Sequence, residues 1–222
     1  MLGRGSPGAR KQTILHPSFL RQVLQELEDE LHLPATFLEE LGVEKDDWAL
    51  IIKGHALIEA AVSHQLSEAL LDKRLMPIFE QLPLGERNYG KLKCARRLEL
   101  LTKEYCDFIG GLSSLRNKIA HNVSEVHFTF EKWVGTLDKN QAKEWAKRFD
   151  CFAETEEGRQ AWRAKWSRRP KEALWLGMFK ILSRVIGTSG EARRERQKIG
   201  HAMMDSQYLR EHVLRDDANE TG

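Results

Sequence analysis

With 222 residues, 35 Lys and Arg against 33 Asp and Glu, and a net charge of +2, the chain is long enough to bury a sizeable core without metal or disulfide staples. Its three cysteines, Cys94, Cys106 and Cys151, lie far apart with no CxxC or Cys/His grouping, which argues against a disulfide scaffold or a zinc site and fits a reducing compartment. The most apolar run, Ala173 to Ile186, carries Lys180 and Arg184 and is too short to span a bilayer, so a cytoplasmic protein with no membrane partner is expected.

The first segment, MLGRGSPGARKQT, has positive charge but no apolar stretch behind it, and residues 1–15 read as a disordered leader, not a signal peptide. From His16 to His32, Phe19, Val23, Leu24, Leu27 and Leu31 recur at helical spacing, and Pro34 ends that helix. A short helix follows over Ala35 to Leu41. Asp46 to Asp72 begins with acids suited to a helix N-terminus and repeats Leu50, Ile51, Leu57, Ile58, Val62, Leu66 and Leu70, which predicts the longest helix of the chain. Further helices are expected over Met76 to Leu82, Gly90 to Tyr105 and Asp107 to Asn122. The β-branched and aromatic stretch VHFTFEKWV predicts an extended segment or short strand.

Beyond it, Lys139 to Phe149 and Thr155 to Ser167 read as amphipathic helices. Pro170 then separates the second of these from an apolar helix over Lys171 to Ile186. GTSGEARRER is a hinge, and 191–222 a charged tail, helical to about Arg215. The pattern is all-α: a helical core over 16–130, with a helical, basic C-terminal extension over 131–190 packed on it. The Asp46 to Asp72 helix should lie antiparallel to the one following Asp107, with Leu57, Ile58, Val62, Leu112 and Leu115 in one core.

Charge is unevenly spread. Between Ser18 and Asp47 nine acids face only Arg21 and Lys45, whereas from Arg159 to Lys198 twelve bases face only Glu172, Glu191 and Glu195. Such a basic arm either attracts a polyanion, pairs with the acidic end, or is simply a solvated helical face.

The stretch GGLSSLRNKIAHNVSEVHF gathers a guanidinium, an amide and an imidazole, Arg116, Asn117 and His121, around Leu115 and Ile119. Five helical steps turn Arg116 about 140° from His121, so one straight helix cannot aim both at a small ligand. Either the helix ends at His121 or two copies of the chain meet along this face, where a two-fold axis would pair the arginines and histidines. Guanidinium grips phosphate oxygens in pairs and imidazole moves protons near neutral pH, so a cleft of this kind suits a phosphodiester. The same residues also fit a plain helix end, with a cationic histidine offsetting the dipole.

LRNKIAH resembles the arginine, polar residue, then histidine pattern of the HEPN superfamily, small helical domains that often act as metal-independent RNases. WALIIKGHALIEAAVSHQLSEALL and YGKLKCARRLELL look like the helices that precede the motif there, in particular in relatives of the mannitol operon repressor. The resemblance covers about Asp46 to Phe130. It implies a HEPN-like up-and-down helix bundle over 16–130, Arg116 and His121 as the catalytic pair, Asn117 as the polar position after the arginine, and no cofactor or metal. It also implies an RNA substrate, a homodimer, and an antitoxin or regulatory protein partner. Toxins of the group that are silenced by nucleotide transfer carry tyrosine two residues past the histidine, where this chain has Val123. A second copy of the spacing, RQKIGH at Arg196 to His201, sits in the charged tail without apolar neighbours to frame it.

The function classes compatible with these residues are a toxin- or defence-like endoribonuclease acting through a ribose 2′-hydroxyl, a non-catalytic dimeric regulator or adaptor, and a nucleotide sensor. His55 and Glu59 read first as an i, i+4 polar pair and second as residues supporting the same cleft. Lys118, Arg159, Arg163, Lys165, Arg193 and Arg194 are the candidate RNA-binding cations. Trp162 and Trp166 read first as core and second as a base-stacking platform.

Overall fold

The computed structural model describes residues 17–70, 73–86, 88–187, 190 and 194. The leader, Arg193, the RQKIGH copy and the tail apart from Arg194 lie outside them. Helices α1 (Pro17–Glu30), α2 (Phe37–Gly42), α3 (Asp47–Ala69), α4 (Met76–Gln81), α5 (Lys91–Arg97) and α6 (Lys103–Ala120) lead to α7 (Phe130–Thr136), α8 (Lys139–Arg148) and α9 (Glu156–Arg168). A last helix, α10, covers 170–187. The protein is an all-α helix bundle, with no strand among the described residues.

Helix α3 is the axis of the bundle. Asp46 caps it, its carboxylate accepting from the N–H groups of Trp48 at 2.9 Å and Ala49 at 3.3 Å. Leu50, Ile51, Leu57, Ile58, Ala61, Val62 and Leu66 are all buried and cover about half the circumference of the helix, a face wide enough to meet several neighbouring helices. Its strongest helical partner is α6. Trp48 Nε1 reaches the Ile119 carbonyl at 3.5 Å and His55 meets Ser113 at 3.1 Å, so residues early in α3 face residues late in α6 and the two helices run antiparallel. Leu112 and Leu115 join Leu57, Ile58 and Val62 in the same core.

Two local expectations are corrected. The helix expected over Gly90 to Tyr105 is two elements: α5 stops at Arg97, Glu99 turns into the left-handed region at φ 57°, and the Thr102 hydroxyl accepts from Tyr105 N–H at 3.4 Å to start α6. VHFTFEKWV is not extended. Its first residues close a 3-10 turn (Val123–His127), after which Thr129 caps α7 by accepting from Lys132 N–H at 3.3 Å. The apparent alternation comes from a cap: Phe128 precedes it, Phe130 and Trp133 follow it one helical turn apart, and all three are buried together.

The C-terminal helices share the core of α3 and α6. Ala173, Leu174, Met178, Ile181, Leu182 and Val185 of α10 are buried in the same cluster, and Gly177 lets α10 approach so closely that a Cβ there would sit 2.7 Å from the Phe108 ring. At the start of α10, Lys171 pairs with Asp47 at 2.6 Å, and Asp47 also accepts from Phe130 N–H at 2.8 Å, which ties α7 and α10 to the N-terminus of α3.

The segment between α4 and α5 folds back so that Lys91 N–H donates to the Pro83 carbonyl at 3.0 Å and Leu92 N–H to the Leu84 carbonyl at 3.1 Å. Gly90 closes this turn, and a Cβ there would lie 2.5 Å from the Glu86 carbonyl oxygen and 2.6 Å from its nitrogen, both backbone atoms that cannot swing aside. Gly90→Ala is therefore expected to lower stability by about 1–3 kcal/mol, measured by urea unfolding, because the whole turn must shift. Gly110→Ala, inside α6 with nothing within 4 Å of its Cβ, is the contrasting control and is expected to keep or slightly raise stability.

Candidate functional site

Three stretches of chain wall a groove of about 450 Å³: His55 and Glu59 from α3, Pro83 to Glu86 from the folded-back turn, and Gly110, Ser113, Ser114, Arg116 and Asn117 from α6. On α6, Ser113, Arg116 and Asn117 are three and four residues apart and so occupy one face, the face that the antiparallel packing turns toward His55.

The groove floor is polar and sealed. His55 is 5 % exposed and its Nε2 lies 3.1 Å from the Ser113 hydroxyl, while Nδ1 faces a Glu59 carboxylate oxygen at 3.9 Å. The other Glu59 oxygen accepts from Lys91 Nζ at 2.9 Å, and Lys91, only 1 % exposed, also donates to the Glu80 carbonyl at 3.3 Å. A buried ammonium with two acceptors is satisfied, and removing either partner of this pair would leave a charge stranded in a poorly solvated site. Burial is the main reason that the His55 pKa is lowered. Glu59 opposes the shift, and the Arg116 and Lys91 cations add to it.

That depression sets a pH dependence. Unfolded chains protonate an imidazole near pH 6.5, whereas folded His55 resists the proton, so the unfolded state binds more protons in the interval below that pH. Stability is expected to be whole above about pH 6.5 and to fall as pH drops toward the lower folded value. His55→Gln should remove this component from the slope of unfolding free energy against pH.

At the rim, Arg116 Nη1 donates to Asn117 Oδ1 at 2.9 Å, which holds the half-buried guanidinium while leaving its remaining N–H groups without a partner among the described residues. His121 is placed differently. Helix α6 stops at Ala120, and His121 is its exposed C-cap, with its N–H donating to the Asn117 carbonyl at 3.2 Å. The helix ends at His121, one of the two arrangements that the spacing allowed, yet His121 is not among the groove residues, whereas Arg116, Asn117, His55 and Glu59 all are.

No protein-family model, curated protein or solved structure matches the chain.

The described candidate RNA-binding cations do not converge on the groove. Lys118 lies around α6 beside Trp133 and Thr136. Arg159 pairs with Glu156 at 2.9 Å, Arg163 with Asp150 and with Glu156 at 3.3 Å, and Lys165 with Glu172 at 3.3 Å, so these three charges are answered within α9 and its neighbours. Arg194 is exposed. Trp166 is 2 % exposed and Trp162 is half-buried against Phe149 and Phe152, so these rings form core and offer no stacking platform. The Cys106 and Cys151 thiols are pushed up to about 11 and about 12 by burial, which makes them poor nucleophiles. Among the described residues no three His, Cys, Asp or Glu side chains gather as metal ligands, and no helix is long and apolar enough to cross a membrane.

Sequence reasoning missed the Pro83 to Glu86 wall of the groove and two residues of its polar network, Ser113 and Lys91. Ser113 was findable, since it precedes Asn117 by one helical turn. Lys91 was not, because a lysine after a glycine reads as exposed and its partner Glu59 is 32 residues away.

Proposed function

We propose that the chain is a metal-independent endoribonuclease of HEPN type, toxin- or defence-like, acting in the cytoplasm as a homodimer on RNA. The observation that carries this reading is the Arg116 guanidinium, pinned by Asn117 at 2.9 Å on the lip of a groove whose floor holds an imidazole. A guanidinium so placed binds the non-bridging oxygens of a phosphodiester and stabilises the charge that builds up as the phosphorus becomes pentacoordinate. The ribose 2′-oxygen attacks phosphorus, the bond to the 5′-oxygen breaks, and the products are a 2′,3′-cyclic phosphate and a free 5′-hydroxyl. His121, exposed on the end of α6, protonates the leaving 5′-oxygen from the same or the partner subunit. DNA, which lacks the 2′-hydroxyl, is inert.

The exposed position of His121, outside the groove, favours one second reading: a non-catalytic dimeric regulator or adaptor resembling the mannitol operon repressor, in which the same face of α6 is an assembly surface. Incubating the purified protein with total RNA in EDTA separates the two. Cleavage by the native chain and none by the Arg116→Ala/His121→Ala variant supports the nuclease; intact RNA in both, with a dimer in sedimentation, supports the regulator.

A further inference from the structure

The groove contains an imidazole that the His121 assignment does not use. His55 stands on its floor, and its two nitrogens are in different company: Nδ1 looks toward the Glu59 carboxylate at 3.9 Å and Nε2 toward the Ser113 hydroxyl at 3.1 Å. The carboxylate favours the tautomer with hydrogen on Nδ1, which leaves Nε2 as the acceptor and the Ser113 hydroxyl as its donor. Glu59 is held in turn by Lys91 at 2.9 Å. Ser113 belongs to the same face of α6 as Arg116, and both line the groove. Four parts in series, an ammonium, a carboxylate, an imidazole and a hydroxyl, thus end beside the guanidinium that would hold a phosphate.

Resting on the ribonuclease reading above, we propose that the groove of a single chain is a ribonucleoside-phosphate site in which Arg116 holds the phosphate and His55, through Ser113, takes the proton of the ribose 2′-hydroxyl. The 2′-hydroxyl donates its proton to Ser113 Oγ as Ser113 passes its own to His55 Nε2, and the freed 2′-oxygen forms the bond to phosphorus while the bond to the 5′-oxygen breaks. The leaving oxygen is protonated by His121 or water, and the His55 proton returns to solvent when product departs. The charged groups facing His55 fit this order of events. Arg116 and Lys91 oppose a resting positive charge, and Glu59 stabilises the imidazolium once it forms. Glu86 also lines the groove, while the Ser113 hydroxyl occupies the Nε2 edge of the imidazole. His55 thereby differs from His121 in kind: it rests neutral, in reach of the groove, and acts as base, whereas His121 is exposed and acts on the leaving side.

Two measurements test this. In single-turnover cleavage of an oligoribonucleotide from pH 4.5 to 8.5, His55→Gln is expected to lower the rate on the order of 10²-fold and to abolish the acidic limb of the profile. His121→Ala should keep that limb. In histidine-ring NMR, uridine 3′-monophosphate should raise the His55 pKa in the native chain, and Gly110→Leu, which places a side chain on the groove wall where a Cβ meets nothing within 4 Å, should remove that shift with the fold intact. If the native chain cuts RNA and His55→Gln cuts it equally fast with the same acidic limb, the base assignment falls and the ribonuclease reading stands. If the native chain cuts no RNA, both fall. If uridine 3′-monophosphate leaves His55 untouched, the groove is not the phosphate site.

Discussion

Arg116→Ala is expected to lower the turnover of RNA on the order of 10²-fold or more, with a far smaller loss of RNA affinity. The asymmetry follows from where the charge sits. Arg116 is a single half-buried cation hydrogen-bonded to Asn117, too little positive charge to dominate binding of a polyanion, but placed where charge develops on one phosphate. Its only described hydrogen bond is to a neighbouring amide, so stability should change little and urea unfolding should report a native-like midpoint. Arg116→Lys should recover only part of the rate, since an ammonium cannot grip two phosphate oxygens in one plane. An equal loss in affinity and turnover would instead make Arg116 a binding residue only.

The largest expected change in stability belongs to Trp166→Ala, about 3–5 kcal/mol. Trp166 stacks on Trp145 at 5.5 Å and 18° and on Phe149 at 5.2 Å and 27°, and it takes the edge of Trp133 at 5.8 Å and 73°. These rings come from α7, α8, α9 and the 3-10 turn at Phe149–Phe152, so one truncation opens a cavity shared by all four elements. Small domains are stable by about 5–15 kcal/mol in all, and a loss of this size brings the variant close to unfolding at 37 °C. Chemical denaturation of the full chain measures it. A loss below about 1 kcal/mol would mean that the aromatic cluster contributes no packing to the cooperative unit.

The parts of the fold legible in the sequence were those in which one physical signal acted alone. Asp46 before 23 residues with recurring apolar positions marked α3, and Pro34 and Pro170 marked boundaries, because a cap and a missing N–H act locally. Where two signals competed, the weaker-looking one won. Thr102 and Thr129 each supply a single hydroxyl, yet each starts a helix against the helical or extended pattern that surrounds it. At the site, Arg116 and Asn117 were legible from their adjacency, and His55 and Glu59 from i, i+4 spacing on α3. Their convergence was legible only as the second reading of His55 and Glu59, because it depends on the register of α3 and α6, set by contacts between residues 58 to 71 positions apart. The same register leaves His121 at the helix end, outside the groove, in keeping with the ~140° that separates it from Arg116 around the axis.

The reaction itself is most directly tested with a DNA strand carrying a single ribonucleotide, incubated with the native protein in EDTA and resolved by end-group analysis. Cleavage on the 3′ side of the ribose alone, leaving a 2′,3′-cyclic phosphate and a 5′-hydroxyl, is the predicted result, and it should vanish in Arg116→Ala. Cleavage at deoxyribose linkages, a 5′-phosphate product, or a strand that stays intact at enzyme concentrations exceeding the substrate would contradict a 2′-hydroxyl transesterification at this groove.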